Sequence, residues 1–314
     1  MNNTSVTPTR PTWFYYAGIL FVVSFWGISS ILYTYLYRYY SASALCTLMT
    51  FFCALFFLIL TRKKWHLFDR RYWRIALPIC GINALACMLQ RIGLQYTTPA
   101  KYAFLEHLCC VVVPIMMFVF TKKSPARAQW CASLLCLTGC FVLSGVSFMG
   151  GGSVGLGDAL CATAGILFGV CVAAIGTYTR GMDGTLYMLV HTSTYFVVSL
   201  ATTLLLDRVA VGGVPMEKIV FTLDARALLP AILIGLVDIA LCWLLKTEAN
   251  RHIDPSTTAV IGPFSAVITG TVSVLVGMDM FTPRLLIGGS LILVAAILPD
   301  TLTALRRAKQ KRSQ

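Results

Sequence analysis

The sequence predicts an all-α integral membrane protein with ten transmembrane helices in two inverted five-helix repeats. Three observations carry this reading. First, hydrophobic residues fill 58% of the 314 positions and charged residues only 12%, against about 45–50% and about 25% in soluble domains. Second, apolar runs recur along the whole chain, each long enough to cross a hydrocarbon layer of about 30 Å at about 1.5 Å per residue. Third, the two halves of the chain can be laid on one another with an odd number of runs in each.

The runs are 14–36, 43–60, 74–95, 99–120, 129–147, 157–178, 185–206, 228–246, 255–276 and 284–300. No charged leader with a small-residue cleavage site precedes the first, so the stretch from Trp13 to Leu36 is expected to stay as a membrane helix. RKKWHLFDRRYWR after the second run, TKKSPAR after the fourth and ALRRAKQKRSQ after the tenth hold most of the lysines and arginines. All three fall on the same side of a ten-span path, and by the positive-inside rule that side is the cytoplasm, with both termini inside. The opposite connections agree: GVSFMGGGSVGLG is uncharged, and the stretch from Asp207 to Arg226 balances its charges. The net charge of +13 therefore reads as a topology signal in a cell membrane, inner or plasma, and not as a nucleic-acid footprint. The Asn2-Asn3-Thr4-Ser5 match to a glycosylation acceptor falls on the cytoplasmic side and is set aside.

The internal repeat is visible in residues. Gly81-Ile82-Asn83 through Arg91 aligns with Leu236-Val237-Asp238 through Lys246, pairing Asn83 with Asp238, Cys87 with Cys242 and Arg91 with Lys246. Thr98-Pro99-Ala100 then meets Asp254-Pro255-Ser256, and Trp26-Gly27 corresponds to Phe168-Gly169. Five spans per copy force the second copy to enter from the opposite side. The expected units are residues 14–147, residues 157–300 and a basic cytoplasmic tail, 301–314.

Candidate functional residues are the polar groups inside these runs. In KYAFLEHLCCVVVP, Glu106 and His107 lie about 5 Å from the middle of the fourth span. A charge there costs at least about 2.5–3.5 kcal/mol, so the pair should face a bundle interior or an aqueous cavity. Tyr102 lies one turn before Glu106 on the same face. The functional reading has Glu106 gain and lose a proton during transport; the structural alternative is a protonated Glu106 gluing two helices together. Asn83, Cys87 and Gln90 give the third span a polar stripe. Asn83 and Asp238 are repeat-equivalent and near mid-membrane, where inverted-repeat carriers place their solute. Arg91 and Lys246 head toward opposite faces and are expected to snorkel to their interfaces. His191 adds a polar group to the seventh span, and Trp26 with Trp243 suggests an aromatic wall. TYLYRYY, ending the first span, is explained as an interfacial aromatic belt.

Other motifs carry nothing. GGGSVG, Gly150 to Gly155, fits a dinucleotide-loop spelling without a preceding strand. The twelve cysteines lie in or at the ends of the apolar runs with no metal spacing and read as packing residues. No Walker A, HExxH or nucleophile-elbow sequence is present, so no metal and no cofactor are expected.

Trp26-Gly27, GLQYTTPAKYA, Pro114, Gly157-Asp158, HIDPSTTAVIGPFSAVITG and FTPRLLIGGSLILVAAIL stand in an order that resembles the drug/metabolite transporter superfamily, specifically its ten-span EamA-type members. The resemblance covers residues 14 to 300. It implies a secondary carrier of the cell membrane, commonly an exporter of amino acids and other small metabolites. The expected partners are a small-molecule solute and the lipid bilayer, no nucleic acid is expected, and a homodimer is left open. Two other classes compete: a membrane enzyme using Glu106 and His107 as acid and base, and a membrane scaffold that transports nothing.

Overall fold

The computed structural model describes residues 11–97, 99–145, 155–206, 208, 210–211, 214–215, 217–277 and 280–312. The Asn2 triplet, residues 150–154 of the glycine run and Asp207 lie outside the described residues. Among those described, nine helical stretches are long and apolar enough to cross a membrane, and Pro283–Pro299 is a shorter apolar helix. They are α1 (Thr12–Leu36), α2 (Ala42–Thr61), α3 (Leu77–Gln95), the pair α4 (Pro99–Glu106) and α5 (Cys109–Thr121), α6 (Arg127–Ser144), α7 (Leu156–Tyr178) and α8 (Gly184–Leu206). Then follow α9 (Ala225–Gly235) and α10 (Cys242–His252), α11 (Pro255–Ile261) and α12 (Phe264–Leu275), and α13 (Pro283–Arg312). The chain is thus a helical, multi-pass membrane protein, with exposed leucines, isoleucines and phenylalanines facing outward along most helices. Its only strands among the described residues are the two-residue pair Ala210–Val211 and Val214–Pro215, between α8 and α9.

Two runs read as single helices are broken. The fourth stops at Glu106 and restarts at Cys109; the ninth stops at Ile261 and restarts at Phe264. Pro263 explains the second break, because it has no N–H to give its preceding turn. The first break contains no proline, but tight turns replace the helical ladder: His107 N donates to Phe104 O at 3.1 Å and Leu108 N to Leu105 O at 3.2 Å. Prolines also start α4, α11 and α13, where a missing N–H costs nothing. Asp254 caps α11 by accepting from Ser256 N at 2.7 Å, and Asp224 caps α9 by accepting from Arg226 N at 2.9 Å.

The packing has a regular pattern. α3 packs on α7 and α1 on α10; α5 packs on α7 and α1 on α12; α6 packs on α13 and α2 on α8. Counting spans in order, a shift of five maps each of these contacts onto another in the set or onto itself. The closest approaches follow the same rule. A Cβ on Gly27 would lie 2.8 Å from the Ile268 side chain of α12, and one on Gly169 would lie 2.6 Å from the Val112 side chain of α5. Only glycine allows these helices to meet so closely.

The connections sort to two ends. Glu217 accepts from Ala42 N at 2.7 Å and from Gln95 at 3.2 Å, and Lys101 pairs with Asp158 at 2.8 Å. At the basic end, Lys64 pairs with Asp183 at 2.9 Å and Gln129 donates to Asp254 at 2.7 Å.

Candidate functional site

The polar groups of the apolar runs converge between α1, α3, α4, α8 and α10. Between α9 and α10 the helix widens into a π-helical turn, Leu236–Leu241, of the kind that recurs at functional sites because it re-aims side chains without ending the helix. This turn carries Asp238, 8% exposed. Its carboxylate accepts from Ser29 Oγ at 3.0 Å and from Tyr33 OH at 2.7 Å, both on α1. A buried carboxylate needs such donors, since an unpaired one would be expelled from an apolar interior or neutralised.

One turn toward the basic end, the Trp26 and Trp243 rings stand 5.8 Å apart at 54°. Lys246 Nζ lies 4.5 Å from the centre of the first and 4.7 Å from the centre of the second. An ammonium over two indole faces is an attractive arrangement, strengthened where water is scarce. The His191 ring lies 5.0 Å from Trp243, and Asn83 Nδ2 donates to His191 Nε2 at 2.9 Å. With Nε2 accepting, the neutral ring carries its hydrogen on Nδ1. That atom is buried without a partner, as are Asn83 Oδ1 and Arg91 Nε. Three orphaned groups on facing helices are costly at about 1–3 kcal/mol each, and they are what a polar solute or ordered water would satisfy.

A second group sits at the break between α4 and α5. Gln90 Nε2 donates to Tyr102 OH at 2.7 Å, and the same hydroxyl adjoins the Glu106 carboxylate. Glu106 is the last residue of α4 and lies within electrostatic reach of Lys246, so Lys246 joins the two groups. His107 is buried in the turn itself.

All nine residues singled out in the sequence (Trp26, Asn83, Gln90, Tyr102, Glu106, His107, His191, Asp238 and Trp243) therefore lie in the spans around this interior, His107 in the turn between α4 and α5, with Asn83, His191, Trp26 and Trp243 in one contact chain and Gln90, Tyr102 and Glu106 in another. Asn83 and Asp238 do not bond each other; their partners are His191 and the α1 hydroxyls. Sequence reasoning missed four contributors. Lys246 does not snorkel but points between the tryptophans. Ser29 and Tyr33 were passed over, although Trp26, Ser29 and Tyr33 follow helical spacing on one face. Arg91 also turns inward, 5.6 Å from the centre of the Tyr33 ring, and donates to Tyr37 OH at 3.3 Å.

The cysteines are free, and most are buried. Cys110 Sγ donates to Ala259 O at 3.1 Å and lies 3.9 Å from Cys136 Sγ, sealing α5 against α11 and α6.

A helical multi-pass membrane protein with paired broken helices and a buried polar centre belongs among membrane transport proteins, and the comparisons agree. Residues 13–145 match the EamA-like transporter family, and over these residues the chain is similar to EamA-type proteins of the drug/metabolite transporter superfamily. A protein of Archaeoglobus fulgidus named as an uncharacterized transporter is 24% identical over 281 residues, covering 90% of this chain and 84% of its own. One solved crystal structure superposes with a TM-score of 0.71 over 94% of this chain and 97% of its own, at 16% identity, so the two share a fold.

Proposed function

We propose that this transporter carries a small amphipathic organic metabolite, an amino acid or similar solute, outward across the cell membrane by alternating access. The interior built from Trp26, Asn83, Gln90, Tyr102, Glu106, His107, His191, Asp238 and Trp243 is its solute and coupling site, completed by Lys246. The observation that carries this is the meeting of opposite charges, aromatic faces and orphaned polar atoms from several spans in one interior. Lys246 and the aromatic wall suit a solute with one anionic end and an apolar body. Glu106, at a helix break and unburdened by the α1 hydroxyls that hold Asp238, is the group that takes up and releases the coupled proton.

The architecture is read as ten spans in two inverted repeats, 14–147 and 157–300, with both termini and the basic tail in the cytoplasm. The support is the contact pattern that repeats under a shift of five spans, the equivalent breaks after Glu106 and Ile261, and the matched Gly27–Ile268 and Gly169–Val112 contacts. Such a repeat gives two conformations of similar energy by exchanging the roles of its halves. The test is flux of labelled amino acids and related metabolites in proteoliposomes with and without a pH gradient. Saturable, gradient-dependent flux lost in Glu106→Gln supports the carrier. A chemically altered substrate would instead point to an enzyme with a Glu106–His107 pair, and the absence of flux for every solute in wild type to a scaffold.

A further inference from the structure

A polar cavity lies away from the central site, at the basic end of the bundle. Its volume is about 360 Å³, and its wall includes Arg71, Arg180, Asp183, Glu248, Arg251 and His252. The two carboxylates already have partners. Asp183 accepts from Lys64 Nζ at 2.9 Å and from the backbone N–H groups of Thr185 and Leu186, and Glu248 accepts from Arg251 Nη1 at 2.7 Å. The cations are less fully matched. Arg180 is exposed, and Arg71 holds only the exposed Asp69 at 2.7 Å, a kind of pair worth little in water. Arg251 is the unusual member: its side chain is 3% exposed, yet Nη2 has no partner. It is fixed by Thr179 Oγ1 at 2.9 Å, Met182 O at 3.2 Å and the Tyr187 ring at 5.1 Å. Arg251 is therefore a fixed guanidinium in the wall of the cavity, its Nη2 buried and without a partner.

The connection that contributes Leu67, Arg71 and Tyr72 to the cavity wall has the composition of a membrane surface segment. The connection from Arg62 to Arg74 carries exposed Arg62, Lys63, Arg70, Arg71 and Arg74 beside exposed Trp65, Leu67 and Trp73. Basic residues interleaved with tryptophan mark the depth at which lipid headgroups lie. Guanidinium forks match phosphate oxygens in pairs.

We propose that this cavity is a phosphate-group site, distinct from the solute site, in which Arg71, Arg180 and Arg251 bind the phosphate of an anionic lipid headgroup or of a soluble phosphate compound. An occupant would bridge the α2–α3 connection, the α7–α8 turn and the end of α10, and so hold the basic end closed.

The test is a titration of the purified full-length chain in neutral detergent, following the unfolding midpoint, which rises by mass action with any ligand of the folded state. One arm uses phosphatidylglycerol with phosphatidylcholine as the neutral comparison, and the other uses inorganic phosphate at constant ionic strength. Arg71→Gln/Arg180→Gln is compared with Lys122→Gln/Lys123→Gln, which removes two exposed charges elsewhere on the same face; both replace exposed residues, and unliganded midpoints equal to wild type verify their folding. The expected loss is about fivefold in apparent affinity per arginine, about 25-fold for the pair, with the lysine variant unchanged. Response to phosphatidylglycerol alone assigns the lipid as the source; response to inorganic phosphate with the same arginine dependence assigns a soluble phosphate. Equal affinities in wild type and the arginine variant, or equal losses in both variants, would overturn the proposal.

Discussion

The Tyr33 hydroxyl donates to the Asp238 carboxylate at 2.7 Å across 205 residues of chain, and Ser29 one turn earlier donates to the other oxygen at 3.0 Å. These bonds fasten the first span to the π-helical turn of the eighth and give both Asp238 carboxyl oxygens a donor. Removing one donor leaves a buried polar oxygen without a partner, at about 1–3 kcal/mol. Tyr33→Phe should therefore lower the unfolding free energy by about that much. In a double-mutant cycle with Asp238→Asn the two losses should be less than additive. Additive losses would mean that the bond contributes nothing.

Lys246 between Trp26 and Trp243 is expected to matter more for solute than for folding. A cation over aromatic faces contributes about 0.5–2 kcal/mol, within what a multi-span bundle can lose. Lys246→Met should thus insert and fold but bind an anionic-end solute at least about tenfold more weakly, the value of one charge-assisted contact. Isothermal titration of solute against both proteins checks this.

Gly27 and Gly169 make the same prediction twice. Valine at either position would thrust methyl groups into Ile268 or Val112, and overpacking of this kind costs about 1–3 kcal/mol or more. Gly27→Val and Gly169→Val should lower thermal midpoints by comparable amounts, because each opens the crossing of a span with a broken helix. A large loss in one and none in the other would argue against equivalence of the two halves.

Asp183 lies outside the spans and gives a pH dependence with a definite sign. Burial pushes its carboxyl up, but the Thr185 hydroxyl, Lys64 and the Leu186 N–H outweigh that and hold it below the usual value of 3.8. A depressed carboxyl contributes stability that is fully present above the unfolded value and lost as pH falls through the folded one. Asp183→Asn should therefore lower the midpoint at pH 7, and the difference from wild type should shrink progressively as the pH falls below 3.8. Thermal scans of both proteins across that range are the check.

The sequence reading reached the helical membrane class and the apolar runs, and it picked out Asn83, Glu106 and Asp238 as polar groups within them, because hydropathy and the cost of buried charge are local properties of the chain. It drew the fourth and ninth spans as single helices. Pro263 was a readable stop signal, but the turn at His107 has no breaker in the sequence. It forms where α7 packs against it, with Gly165 set against the Leu105 and Glu106 carbonyls, a tertiary contact that no local pattern announces. Lys246 was assigned to the interface because length allows a lysine to snorkel. Only the meeting of two tryptophans from distant spans, Trp26 and Trp243, gives its ammonium an attractive place inside. Tyr33 was hidden by the tyrosines that follow it, of which Tyr35 and Tyr37 are exposed while Tyr40 is buried in the core.

The measurement that tests the central claim most directly is proteoliposome flux of a panel of labelled amino acids and metabolites for wild type, Glu106→Gln and Lys246→Met, with insertion verified for each. Saturable flux of at least one solute in wild type, abolished in Glu106→Gln under a pH gradient and weakened in apparent affinity in Lys246→Met, is the predicted result. Flux of the same rate and affinity in all three proteins would contradict it and move the solute path away from the polar centre between α1, α3, α4 and α10.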